Sequence, residues 1–244
     1  MLNKLYYFFV LILGLIIFLP ILGIFNKIEF NLLHLFEFIQ SKYNLRLIYI
    51  TFLQAFLSSL ISCVLALPFA ISLFRRKKKL INRILISLSG YSFVLPSILI
   101  VYSVIGIFGT NGVLNKTTNL YDLFNIKTIF GLQGILVAHI LLNTPFAVRI
   151  FVQNLNSIPK KYIEVAKSMN FSFWQNYLYL EWPIIRQNFF SIFSIIFILC
   201  FLSFAIVMAL GGGPRYSTLE VAIYQSIFFE LNFNKAIILS FIQI

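Results

Sequence analysis

One histidine and two cysteines, His139, Cys63 and Cys200, fall inside the long apolar stretches of this chain, and no Asp or Glu joins them there. A metal centre needs three or four converging His, Cys or carboxylate ligands. Acid–base catalysis and proton-coupled transport each need positioned titratable groups, which at membrane depth mark function by default. One histidine without a carboxylate supplies neither set, so a catalyst or proton-driven carrier within the membrane is disfavoured. The cysteines have no CxxC or His/Cys spacing and read as small core or lipid-facing residues. His139 reads as a helix-to-helix hydrogen-bonding residue or as part of a pathway lining.

The residues built to meet something in water lie elsewhere, in the polar loop 154–187, NLNSIPKKYIEVAKSMNFSFWQNYLYLEWPIIRQ. Ser157 is placed to cap a short helix with Pro159 inside its opening turn, where a missing N–H costs little. Ile158, Tyr162, Ala166 and Met169 recur at helical spacing along one side. Asn170 stands where that helix must stop, since Asn tolerates the left-handed conformation of the residue after a helix. Ser172 and Gln175 then form a capping box for a second short helix. The loop is expected to be helix, turn, helix. Taken alone, Glu164 has an ordinary reading as a surface ion pair with Lys160, Lys161 or Lys167, worth a few tenths of a kcal/mol.

Glu164-Val165-Ala166, then Asn170, then Trp182-Pro183 resembles the EAA loop of ABC importer permeases, whose pattern is E-A-A, three residues, G, and a later hydrophobic residue followed by P. Val165, Asn170 and Trp182 depart from Ala, Gly and Leu while the spacing is kept. The resemblance implies that the first short helix docks on the ATP-hydrolysing subunit and passes its motion to the spans. Glu164 would fix the docked helix, Ala166 would be small enough for close approach, and Val165, Met169 and Asn170 would belong to the same segment coupling to the ATPase. Pro183 would restart it into the fifth span.

The elements that hold this loop are membrane-spanning. Hydrophobic residues are 60% of the chain and charged ones 11%, with mean hydropathy +0.94. A soluble domain approaches a quarter charged. A span needs about 20 apolar residues, and residues 6–26, 48–74, 84–109, 131–153 and 188–210 qualify, with an incomplete sixth run after Lys235. The first lacks a small-residue cleavage site and reads as a retained anchor. Pro68, Pro96 and Pro145 fall within the second, third and fourth spans and can kink them. Segments 27–47 and 110–130, with Tyr43, Tyr121 and Phe124, read as external interfacial or re-entrant pieces. Of the 19 Lys and Arg, 12 lie on the loop's side of the membrane and 7 on the other when the N-terminus is inside. The positive-inside rule therefore places the N-terminus and the loop in the cytoplasm. The basic run Arg75 to Lys79 fits topology and anionic head groups better than a nucleic-acid patch. Tyr91, Tyr102 and Asn143 are candidate pathway-lining positions as polar groups within spans, although the sequence leaves the pathway itself unknown.

After the fifth span, Gly211-Gly212-Gly213-Pro214 must form a tight turn at the outer face, since each glycine weakens a helix by roughly 1 kcal/mol and Pro halts it. The run LGGGP followed by TLEVAIYQ (Thr218–Gln225) resembles the corresponding segment of bacterial thiamine importer permeases and, more loosely, ferric iron permeases. The resemblance implies an all-α, polytopic inner-membrane helix bundle of the ABC importer permease type, with five complete spans and an incomplete sixth. The chain, 1–244, would be a single permease domain matching an N-terminal half. It also implies no cofactor of its own and a set of partners: ABC ATPase subunits, a periplasmic solute-binding protein, a second permease half or subunit, and the lipid bilayer.

Overall fold

The computed structural model describes residues 2–25, 41–76, 80–92, 94–118 and 129–243, and every regular element among them is helical. In chain order these are α1 (Leu2–Phe25), α2 (Lys42–Arg75), α3 (Leu80–Tyr91), α4 (Ser97–Phe108), α5 (Val113–Thr118), α6 (Leu132–Leu155), α7 (Lys160–Ser168), α8 (Phe173–Asn176), α9 (Trp182–Phe201), α10 (Ala205–Leu210), α11 (Leu219–Phe228) and α12 (Phe233–Gln243). Most of the first external segment, Tyr121 and Phe124 of the second, and Lys77 to Lys79 of the basic run lie outside the described residues.

Four stretches among the described residues are long and apolar enough to cross a bilayer: Lys42–Arg75, Ser97–Thr117, Leu132–Leu155 and Phe173–Phe201. The third and fifth spans differ from the continuous helices expected at 84–109 and 188–210. The third is split into α3 and α4 around Pro96, which starts α4 from an extended conformation (φ −57°, ψ 130°). A residue before proline is steered away from the helical region, and the ring removes a donor, so the split follows from local sterics. Pro68 and Pro145 stay inside α2 and α6. The fifth span starts earlier than expected, running back through α9 to Phe173, and is interrupted at Leu202–Phe204 before α10.

The chain forms two compact units, residues 47–218 and the two chain ends, 1–46 with 219–244. In the first, α6 packs on α3, α4, α9 and α10. Its Ala147, Val148, Phe151, Val152 and Leu155 share one buried cluster with Ala55, Cys63, Ala66 and Ala70 of α2 and Ile185, Ile192, Ile196 and Cys200 of α9. Small residues on α2 allow close backbone approach, the main source of helix association where lipid offers no hydrophobic contrast. In the second unit α11 and α12 form an antiparallel pair, because Gln243 Nε2 donates to Glu220 Oε1 at 2.6 Å while Lys235 meets Glu230 at 2.8 Å. Leu231 makes the turn with φ 50°.

Candidate functional site

The polar loop folds as helix, turn, helix. α7 ends at Ser168, and Asn170 follows in the left-handed conformation at φ 51°. Phe171 N–H donates back to Ala166 O at 2.9 Å and Asn170 N–H to Lys167 O at 3.1 Å. These are the two bonds of a Schellman stop, and they satisfy carbonyls that a helix end leaves open. Ser172 and Gln175 close the expected capping box: Gln175 N–H donates to Ser172 Oγ at 3.3 Å and Ser172 N–H to Gln175 Oε1 at 2.7 Å.

Three expectations for the loop are corrected. Ser157 does not cap α7; its hydroxyl donates to Asn154 O at 2.7 Å, closing the end of α6, and Pro159 itself stands at the N-cap without a side-chain bond. Ile158 therefore precedes the helix, and the expected stripe divides. Ile158 and Ala166 are buried, whereas Tyr162 and Met169 are 61% and 65% exposed, joined on the open face by Val165. Starting the helix at Lys160 sets the register, so Ile163 and Ala166 turn inward while Tyr162, Val165 and Met169 turn out. Glu164 is exposed, and among the described residues its carboxylate has no ion-pair partner.

The second helix does not end before the fifth span. A π-helical segment, Tyr177–Glu181, joins α8 to α9, with Trp182 N–H bonding to Tyr177 O and Pro183 in the first turn of α9. Pro183 has no N–H to return to the preceding turn, and the wider π turn accommodates that gap. Glu181 is buried at 3% exposure. It receives Arg75 Nε at 2.7 Å and Nη2 at 2.8 Å, while the same guanidinium donates to Phe173 O at 3.2 Å and lies 3.9 Å from the Phe173 ring centre. This clamp fixes the end of α2 to both ends of the α8–π segment. Reading Arg75 as one cation of a basic run missed the pairing.

Above the loop, both helix interruptions open on one cavity of about 220 Å³. Ser92, Leu95 and Ser97 line it from the break between α3 and α4, Ser203 and Phe204 from the break between α9 and α10. The unbroken α6 supplies His139 and Asn143. His139, 1% exposed, is bonded at both ring nitrogens, Nδ1 with Ser58 Oγ at 3.1 Å and Nε2 with Ser203 Oγ at 2.9 Å. The ring thus links α2, α6 and the α9–α10 break. Gln54 Nε2 donates to Cys200 O at 2.8 Å, satisfying a carbonyl in the last turn of α9. Cys63 and Cys200 are free and buried, and Cys200 Sγ accepts from Asn143 Nδ2 at 3.2 Å. Of the three candidate lining residues only Asn143 reaches this cavity; Tyr91 and Tyr102 are exposed on the outside of their helices. Ser58 and Ser203 carried no signal in the sequence beyond being hydroxyls in apolar runs.

The glycine turn is as tight as expected. Gly212 and Gly213 have φ 66° and 112°, and Pro214–Tyr216 forms a single 3₁₀ turn. A Cβ on Gly212 would stand 3.1 Å from Phe130 Cβ.

A multi-span helical bundle with interrupted helices, carrying an amphipathic loop with an open apolar face, has the features expected of a membrane transport permease. The chain belongs to the family described as binding-protein-dependent transport system inner membrane component, which matches residues 51–244. It is 42% identical over 197 residues to the thiamine transport system permease protein ThiP of Haemophilus influenzae, covering 81% of this chain and 36% of that protein. It is 34% identical over 205 residues to the protein of the same name from Escherichia coli, covering 84% and 38%. The chain thus spans little more than a third of the length of these relatives. In fold it is similar to a bacterial ABC transporter involved in the import of the acidic polysaccharide alginate, with TM-score 0.75, 15% identity, and coverage of 97% of this chain and 89% of that one. The chain is therefore a multi-pass inner-membrane component of the ABC importer permease class.

Proposed function

We propose that this chain forms the substrate-conducting half of a thiamine importer, driven by ATP hydrolysis in a separate subunit. The N-terminus and loop 154–187 lie in the cytoplasm in this reading, and a periplasmic solute-binding protein delivers the solute at the opposite face, where Gly211 to Pro214 turn the chain. A second permease half completes the pathway. Support for the substrate comes from the thiamine permeases to which most of the chain is similar.

The observation that carries the coupling role is the open face of α7. Tyr162, Val165 and Met169 place apolar side chains in water on a helix stopped rigidly at Asn170, and such a patch marks a partner surface. Glu164 beside it supplies a charged hydrogen-bond acceptor for the partner's groove. Ala166 packs inward, keeping the helix close to the spans it must move. ATP-driven closure of the partner then shifts α7, and the Arg75–Glu181 clamp carries the shift into α2 and α9.

The test is uptake of labelled thiamine, with and without ferric iron as competitor, in cells whose only thiamine permease contains this chain. Uptake insensitive to iron supports the reading; iron-suppressed uptake assigns the other substrate. Glu164→Lys should abolish ATPase association and uptake together. Wild-type association and uptake in that variant would remove the coupling role.

A further inference from the structure

We infer that the groove where the end of α2 meets the α8–π segment is a binding site for one anionic phospholipid, with the phosphate at Arg76 and the free edge of Arg75 and an acyl chain running toward Leu67. The inference rests on the cytoplasmic placement of the loop only for which leaflet supplies the lipid.

Shape and depth fit such a ligand. The groove holds about 660 Å³, with Leu67 and Ile71 along one wall, Trp174 and Tyr177 along the other, and Arg75 and Arg76 at its mouth. α2 has 34 residues and is about 51 Å long at 1.5 Å per residue, well beyond a hydrocarbon core of about 30 Å. Its apolar run stops at Phe74, so the two arginines stand at the head-group layer. Leu67 lies about 12 Å deeper along the helix axis. The groove therefore begins at phosphate level and ends among acyl chains. Trp174 is exposed beside it, and tryptophan and tyrosine are the ring types that settle at this boundary.

The charge at the mouth selects the lipid class. Arg75 gives Nε and Nη2 to Glu181 and Phe173 O, while Nη1 makes no hydrogen bond among the described residues. Arg76 is exposed, and among the described residues its guanidinium pairs with no acid. Its backbone is held in place, because Asn82 Nδ2 donates to Arg76 O at 2.8 Å. Two guanidiniums thus meet the single carboxylate of Glu181, which leaves one positive charge for a phosphodiester to match. Planar guanidinium groups suit phosphate oxygens in two-point contact. No carboxylate lines the groove, so the ammonium of a zwitterionic lipid has no partner there. A free phosphate would satisfy the arginines but leave the apolar walls uncovered. No residue of α7 lines the groove, so a lipid seated in it leaves the open face of that helix free for the ATPase subunit. Bound there, the lipid bridges α2 and α8 on the side of the Arg75–Glu181 clamp that Phe173 covers.

The test uses the full permease assembly containing this chain, in nanodiscs of phosphatidylcholine doped with phosphatidylglycerol that carries a photoreactive acyl chain. Crosslinks should map to Leu67–Arg76 and Phe173–Tyr177, compete with unlabelled phosphatidylglycerol, and resist both extra phosphatidylcholine and soluble glycerol phosphate. Arg76→Gln should weaken that competition about fivefold, the worth of one arginine near a membrane surface, and Arg76→Lys should restore most of it. Ile71→Trp, which fills the groove and leaves both arginines in place, should remove the crosslinks. Equal competition by phosphatidylcholine, with Arg76→Gln indistinguishable from wild type, would reduce the groove to ordinary lipid contact and overturn the site. Displacement by glycerol phosphate alone would assign a phosphate site without a lipid, and crosslinks from this groove only to another protein subunit would assign it to that subunit. Labelling is read without transport, so wild-type vesicles that take up no thiamine would count against the proposed function while the lipid site stands or falls on its own crosslinks.

Discussion

Arg75 and Glu181, 106 residues apart in the chain, meet through paired hydrogen bonds of 2.7 and 2.8 Å at a point where the carboxylate is 3% exposed. The pair joins the last residue of α2 to the residue before α9, so the two spans cannot slide independently at this end. Planar guanidinium geometry suits a carboxylate in two-point contact, and Phe173 stacks on the remaining face. Removing one partner of a buried pair costs about 3–5 kcal/mol, because the other charge is left uncompensated. Arg75→Ala and Glu181→Ala should each lower the melting temperature of the detergent-solubilised assembly sharply. The double variant should lose much less than the sum of the two. Additive losses would show that the pair contributes no coupling energy.

Asn170 is the second fixed point of the loop. At φ 51° a side chain branched at Cβ is strained by roughly 1–2 kcal/mol, whereas glycine is free of that penalty. Asn170→Gly should retain full stability and uptake. Asn170→Val should release the Schellman bonds from Phe171 and Asn170, loosen α7, and weaken ATPase binding in pull-down. Equal behaviour of the two variants would place the stop elsewhere.

The open face of α7 makes a separate prediction. Val165 is 53% exposed and stands between Tyr162 and Met169. Val165→Asp adds a charge that water solvates in the free chain but that a partner groove would have to desolvate, at a cost of several kcal/mol. The melting temperature of the isolated permease should not move, while co-purification of the ATPase subunit should fall by more than tenfold. Intact co-purification would mean that the partner grips another face.

The parts of this arrangement that the sequence made legible are those decided within a few residues. Asn170 after α7, the Ser172–Gln175 box and the Gly212–Gly213 turn depend on backbone conformations that only certain residue types adopt cheaply, so residue type carries the information. Which face of α7 is buried was misread because a stripe from Ile158 presumes a helix two residues too long at its start. The break at Leu202–Phe204 left no trace in hydropathy, since a single serine between two large apolar residues is common inside a span. Arg75 with Glu181, and Ser58 with His139 and Ser203, are products of helix packing over 60 to 110 positions. No local pattern distinguishes these residues from an ordinary loop charge or span hydroxyl.

The π segment ties these elements together and can be tested at Pro183. Trp182 N–H reaches back five residues to Tyr177 O, one more than an α-helix allows, so the turn Tyr177–Glu181 holds one extra residue. Pro183 favours that widening, because an α-helical turn there would need the N–H it lacks. Pro183→Ala restores the donor and allows the turn to tighten to α geometry. Each residue lost from the turn rotates what precedes it by about 100° relative to α9, from the 3.6 residues per turn of the helix. α8 and its contact to Arg75 through Phe173 O would then be turned away from α2 while Glu181 stays with α9. The expected result is an importer that assembles and retains ATPase association but hydrolyses ATP with little uptake. That uncoupled behaviour should be partly reversed by inserting one alanine after Leu180, which refills the turn. Wild-type uptake in Pro183→Ala would show that packing around Tyr177 and Trp182, and not the proline, sets the π geometry.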